Sequence, residues 1–247
     1  MNYFLDTVET IPEGKGFLAF GTLHLCWLAV FVLITIVNCL LYRRMKYSRR
    51  AVWRKTVAVL LILDELFKMA MLTAGGRYNL TYLPLHLCSI NIFFIAIHAW
   101  KPTEIMSSFL YTVCIPGALA ALLFPSWATL PLGNFMHLHS FTIHILLAMY
   151  PIVLTVGGDI KVRIKQIPKC VIFLLIMAVP IYLLNMLIDT NFMFLMYADE
   201  GNPLMIFEQL WGNHLLGYPV IIAGVLIVMY APIVIVNRIK LKKNPPV

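Results

Sequence analysis

Seven stretches of this chain are so long and apolar that they leave the fold few options: residues 17–41, 56–75, 83–100, 105–125, 135–157, 170–190 and 214–236. A bilayer core is crossed by roughly 20 apolar residues in helical form, and each stretch approaches that length. Backbone polar groups in hydrocarbon must be paired within their own segment, which selects helices over an open sheet. With 61% of the 247 residues hydrophobic and 12% charged, little chain is left over for a soluble domain. The pattern predicts an all-α polytopic membrane protein, with 1–247 forming one domain that is a bundle of seven transmembrane helices.

Charge predicts the orientation. Of the 19 Lys and Arg residues, all but Lys15, Lys68 and Arg77 fall on one side of such a bundle. Arg43, Arg44, Lys46, Arg49, Arg50, Arg54 and Lys55 follow the first helix, and Lys101, Lys161, Arg163, Lys165 and Lys169 lie in later loops. The tail adds Arg238, Lys240, Lys242 and Lys243. By the positive-inside rule that side is cytoplasmic, so the N-terminus is outside and the C-terminus inside. Loops lying against anionic lipid headgroups account for the net charge of +8. No segment alternates aromatic and basic residues as nucleic-acid binding requires, so no nucleic-acid partner is expected.

The first 16 residues carry Asp6, Glu9 and Glu13 and lack the basic start of a signal peptide, so no cleavage is expected. Cys26, Cys39, Cys88, Cys114 and Cys170 form no CxxC pair, which argues against a zinc knuckle or a disulfide framework. Asn79-Leu80-Thr81 is a glycosylation sequon on the outer side, close to the bilayer, with meaning only in a eukaryotic source.

Residues 83–89 carry the chemistry. Pro84 suits the first turn of a helix, which puts Cys88 about one turn inside, where the positive end of the helix dipole favours a thiolate. Taken alone, Cys88 also reads as a small packing residue. Histidine depth favours a site: His24, His86, His137, His139, His144 and His214 all fall in the outer half, with His98 near the cytoplasm. Cys88 and Asn91 share a helix face, as do His137, Ser140 and His144. Cys88, Asn91 and His144 are therefore the set expected in one cavity, with His137 and His139 as interfacial anchors. On the second helix Lys68 can pair with Asp64 or Glu65, and the other acid then needs a partner or a proton. Residues 190–213 are too short for two spans and too apolar for a free loop, and are expected to bend over the outer mouth as an interfacial cap.

Several of these pieces together resemble the YwaF-like bacterial integral membrane proteins, a family of seven-helix proteins related to mammalian transmembrane protein 164. The carriers are Phe20-Gly21 with His24, Glu65 in the second helix, and the sequence at 83–88. Residues 116–125, His144, the run 190–195 and Gly217-Tyr218-Pro219 complete the order. The resemblance implies a cysteine-dependent phospholipid acyltransferase that works through an acyl-thioester with a histidine nearby. Cys88 falls on the nucleophile position and His144 is its partner, with His139 the alternative base. His86, Glu65, Asn191, His139 and His24 are the residues expected to contact substrate. A bacterial plasma membrane is the expected location.

Two functions from different classes follow. The first is a lipid acyltransferase or transacylase acting on a membrane phospholipid or lysophospholipid, without cofactor. In it Cys88 attacks a lipid ester, His144 takes and returns the proton, and Asn91 or a helix-end N–H steadies the oxyanion. Hydrolysis is the same chemistry with water as acceptor. The second is a transporter or proton-coupled permease using Glu65, Asp64 and the outer-half histidines as a relay. No inverted repeat is visible, and polar residues crowd one half, which counts against it. A retinal protein is excluded by the absence of a lysine in the seventh stretch. A metal site of His86, His137, His139 and His144 is a minor option, lacking carboxylates at the usual spacing.

Overall fold

The computed structural model describes residues 3–198 and 202–243, which fall in two compact units, residues 1–201 and 202–247. Among the described residues there is no strand. The first unit holds α1 (Thr22–Arg44), α2 (Tyr47–Ala74), α3 (Leu87–Trp100), α4 (Glu104–Phe109), α5 (Ile115–Leu123), α6 (Phe135–Val156) and α7 (Ile167–Ile188). A π-helical stretch, Leu110–Cys114, joins α4 to α5 so that 104–123 run as one rod. The second unit holds α8 (Leu204–Trp211) and α9 (Gly217–Lys243).

Each predicted apolar stretch is a helix, but they are not equivalent. Five segments are long and apolar enough to cross a membrane: α1, the 104–123 rod, α6, and α7 and α9 with their leading turns. α2 has the length, at 28 residues, but carries Asp64, Glu65 and Lys68 in its apolar half and basic residues in the other. α3 is only 14 residues, about 21 Å of helix, because residues 83–86, the expected start of the stretch, form a bend after the 3₁₀ turn Leu80–Tyr82. Of the seven expected spans, five are long and apolar enough by themselves to cross a membrane, and α2 and α3 fall short of that measure for these reasons.

The hub is α6. Of its most apolar window 72% is buried, against 11% for α1 and for α7, and it packs against α1, α2, α3 and α5. α1 and α7 are apolar all round and present Leu33, Leu183 and Leu187 outward, the pattern of a lipid-facing helix. Asn134 starts α6: its Oδ1 accepts from the N–H groups of Met136 (2.8 Å) and His137 (3.2 Å), and its Nδ2 donates to Tyr3 O and Asp6 O. One fully buried amide thereby caps the central helix and ties down the N-terminal segment.

The loops assort by charge as the sequence predicts. Asp159, after α6, accepts from Arg50 Nη1 (2.8 Å), Arg54 Nη1 (3.2 Å) and Tyr42 Oη (2.5 Å), which brings the turn at 157–160 onto the α1–α2 junction. A side chain at Gly157 would collide with the Tyr42 ring, so only glycine fits there. Glu104 receives Arg163 (3.4 Å) and Gln166 (2.7 Å), and Lys55 lies over the Trp100 ring. These loops share a basic end; the N-terminal segment, the turn at 75–86, the loop at 124–134 and the segment after α7 lie at the other. The tail residues Arg238, Lys240, Lys242 and Lys243 lie on the α9 backbone, with side chains outside the described set.

The expected cap at 190–213 takes two forms. In the first unit, Phe192–Phe194 form a 3₁₀ turn; in the second, Leu204–Trp211 form α8, ended by Gly212 in the left-handed conformation (φ 69°). Residues 199–201 lie outside the described residues.

Candidate functional site

The α2 face that packs inward runs Ala58, Leu61, Glu65, Lys68, Leu72, so two charged residues occupy a stripe whose spacing calls for apolar ones. A lone buried charge is costly, and these two answer it by pairing: Lys68 Nζ lies 2.5 Å from Glu65 Oε1, each side chain 9% exposed. Asp64, one residue before Glu65, points to another partner. His139 on α6 stands between the two acids, Nδ1 3.3 Å from Asp64 Oδ1 and Nε2 3.8 Å from Glu65 Oε2. Buried in this carboxylate clamp, His139 is not the headgroup-level anchor its position near a helix end suggested.

α3 delivers the thiol. Its first helical residue is Leu87, and His86 is the N-cap, so Cys88 is the second residue of the helix and not the fifth as a start at Pro84 implied. The correction moves Cys88 into the first turn, where unpaired N–H groups and the dipole act most strongly. Ser89 follows. Its hydroxyl donates to Glu65 Oε1 at 3.5 Å. Asn91, one turn further on the same face, is 2% exposed and its Oδ1 has no hydrogen-bond partner.

α6 delivers the second imidazole. His144 Nδ1 lies 2.6 Å from Ser140 O; a carbonyl only accepts, so the Nδ1 proton is fixed and Nε2 keeps its lone pair. Trp127 stacks on the ring at 5.1 Å and 10°, which fixes its plane. His139 and His86 are its electrostatic neighbours. Contacts thus join Ser89, Lys68, Glu65, Asp64 and His139 where α2, α3 and α6 meet, with Cys88 next to Ser89 in the first turn of α3 and His144 just over a turn beyond His139 on α6.

His86 is held from the segment after α7. Its Nδ1 accepts from Met193 N–H at 3.4 Å, and its ring meets Phe192 edge-on at 5.2 Å. Asn185 shapes that segment: its Oδ1 accepts from Phe192 N–H and Thr190 Oγ1 (both 2.9 Å), and its Nδ2 donates to Phe192 O. Asp189, Met193 and Phe194 all have φ between 53° and 59°, a left-handed conformation costly for side-chain-bearing residues.

Two sequence candidates serve the scaffold. His24 accepts from Phe20 N–H (2.8 Å) and donates to Leu122 O (2.7 Å), leaving neither nitrogen for a substrate. Asn191 spends its amide on Met196 N–H, Tyr197 N–H and Tyr197 O. His137 is likewise occupied, between Trp27 Nε1 and Leu130 O, both at 3.0 Å, in the aromatic core around Phe141. That removes it from the four-histidine metal option; among the described residues no three His, Cys, Asp or Glu side chains gather in a metal-holding group. Ser89, Asn185 and Trp127 carry no local signature and emerge only from packing.

An all-helical membrane protein with a cysteine, two imidazoles and an acid-lysine pair gathered at one end of its bundle is the class defined by this architecture. The model of the TMEM164 family matches residues 19–231, and the chain belongs to the TMEM164 family. No curated protein and no solved structure matches it.

Proposed function

We propose that the protein is a membrane-embedded, cysteine-dependent lipid acyltransferase or transacylase. Cys88 is its nucleophile and His144 its base. The single observation that carries this reading is the placement of Cys88 in the first turn of α3, against Ser89 and the Glu65–Lys68 pair. The helix N-terminus and the nearby Lys68 ammonium both act in favour of a thiolate, and the free lone pair of His144 Nε2 supports its role as acceptor of the proton.

In the first step the Cys88 sulfur attacks the ester carbonyl of a phospholipid while its proton passes to the imidazole. The tetrahedral intermediate collapses to a thioester, and the lysophospholipid alcohol leaves with that proton. In the second step the hydroxyl of an acceptor lipid attacks the thioester, gives its proton to the imidazole, and the thiol is restored. The N–H groups that begin α3 supply donors for the oxyanion, and Asn91 is aligned with Cys88 to add another. Water in place of the acceptor lipid gives hydrolysis by the same two steps. His86 and His139 line the reacting end in this reading, and Glu65 acts from behind Cys88.

All seven helical segments of more than ten residues other than α8 serve as spans in the same proposal, with the basic end cytoplasmic and the Cys88 end facing out, in a bacterial plasma membrane. The gathering of the basic loops at one end supports it. An impermeant thiol reagent applied to intact cells should label a cysteine placed at Gly76 and leave one at Ser48 untouched; the reverse inverts the orientation.

The competing reading, a transporter or proton-coupled permease, draws on the Asp64–His139–Glu65 contacts. Buried apolar residues count against it: Val57, Ala58 and Leu61 on α2, Ile92 and Ile95 on α3, and Leu147 and Ala148 on α6 separate this cluster from the polar groups at the basic end. Intact-mass spectrometry of the purified protein decides between them. A fatty acyl mass on Cys88, released by hydroxylamine, is the expected result; a protein that never carries one, even with phospholipid supplied, sinks the thioester mechanism.

A further inference from the structure

Glu65 Oε1 is contested by two donors. Lys68 Nζ holds it at 2.5 Å and the Ser89 hydroxyl donates to it at 3.5 Å, from the residue next to Cys88 in the first turn of α3. A hydroxyl has one proton to give. In this structure that proton goes to Glu65, and the ammonium on the same oxygen cancels the carboxylate charge that would otherwise stand beside the start of α3. Lys68 lies on the buried face of α2, the helix that packs against α3.

We propose that Lys68 is a positioning residue for the nucleophile: by holding Glu65 it cancels the carboxylate charge beside Ser89 and Cys88, and it sets its own positive charge at the start of α3. The inference rests on the reading of Cys88 as nucleophile. Lys68 takes no proton in the step: the proton leaving Cys88 goes to the imidazole base. Other titratable groups face the same region. They are Asp64 and Glu65 on α2, His86 at the cap of α3, His139 and His144 on α6, and Cys114 on the π-helical stretch.

The structure assigns Lys68 and Glu65 opposite effects on one thiol, and this separates the role from a merely structural one. The measurement is the pH profile of Cys88 labelling by N-ethylmaleimide in the purified full-length protein, located by peptide mass. Lys68→Met should raise the labelling midpoint by about one pH unit and slow labelling at neutral pH roughly tenfold, and Lys68→Arg should restore most of the rate. Glu65→Gln should lower the midpoint. Lys68→Met leaves Glu65 buried without its ammonium and is prone to misfold, so the paired variant Glu65→Gln/Lys68→Met, which buries no lone charge, carries the same test: its midpoint should lie above that of Glu65→Gln.

An unchanged profile in folded Lys68→Met, an upward shift in Glu65→Gln, or a paired variant that matches Glu65→Gln overturns the proposal. Labelling reads the thiol without any acyl transfer. The predicted shifts in a protein that never carries an acyl group would refute the acyltransferase reading and uphold the role of Lys68. Acyl transfer with an unmoved profile would do the reverse.

Discussion

Two polar clusters sit at opposite ends of the same three helices, and they are built differently. At the basic end Asp159 receives Tyr42, Arg50 and Arg54, and His98 has both ring nitrogens engaged, by Tyr150 Oη (2.9 Å) and Ser107 Oγ (3.0 Å). Arg54 Nε is its one buried unpartnered atom among these residues. At the other end Asp64 Oδ2, Asn91 Oδ1 and His139 Nδ1 are all buried without a hydrogen bond, the last of them 3.3 Å from a carboxylate oxygen but off the bonding line. Burying a polar atom without a partner costs about 1–3 kcal/mol, so the second cluster holds unmet demand where the first spends it on fastening helices. Similar residue types thus serve as a clasp at one end and as chemistry in waiting at the other. Cys88 and His98, ten residues apart on α3, are separated by about 15 Å.

The comparison breaks most sharply at Cys88. Cys88→Ala should abolish lipid acyl exchange while shifting the melting temperature by no more than about 2 °C, since it removes one half-buried sulfur. Full activity of this variant in a lipid assay would make the Cys88 cluster another clasp. At the opposite end Asp159→Asn should do the converse. It strips the counter-charge from Arg54, whose side chain is 9% exposed, and a loss of about 3 kcal/mol is expected, seen as a lower melting temperature with Cys88 labelling kinetics intact. A normal melting temperature would show that the Asp159 contacts fasten nothing.

The finest test is a pair of histidines within the Cys88 half. His144→Gln should slow neutral-pH alkylation of Cys88 roughly tenfold with a small effect on stability, whereas His24→Gln, which abandons Phe20 N–H and Leu122 O, should cost about 1–3 kcal/mol and leave the labelling rate alone. If His139→Gln slows alkylation and His144→Gln does not, the base is His139, oriented by Asp64.

Much of the architecture was legible because hydrophobic length and loop charge are one-dimensional signals. The seven apolar stretches became helices, and loops grouped by their basic residues do meet, through Asp159 and Glu104. The start of α3 was misread for a local reason. Pro84 is compatible with a first helical turn, but the bend at 83–86 is fixed by Leu85 N–H bonding back to Leu83 O and by the segment after α7 that holds His86. The second contact comes from more than a hundred residues away. The histidines illustrate the same limit: His24, His137, His139 and His144 have similar depth in the sequence, and nothing in that depth separates a ring wired to backbone from one clamped between acids.

The sequence by itself determined that the chain is helical, that it belongs in a membrane, which loops lie together, and that a thiol opens a helix near several imidazoles. These follow from the cost of burying backbone and charge in hydrocarbon, which acts on each segment separately. Only the tertiary structure decided which polar groups meet. Glu65 took Lys68 and left Asp64 to His139, His144 fixed its proton on its own backbone turn, and Ser89 came to lie between Cys88 and a carboxylate. A hydrogen bond is set by positions to within tenths of an ångström, and those positions depend on how α2, α3 and α6 rotate and slide against one another.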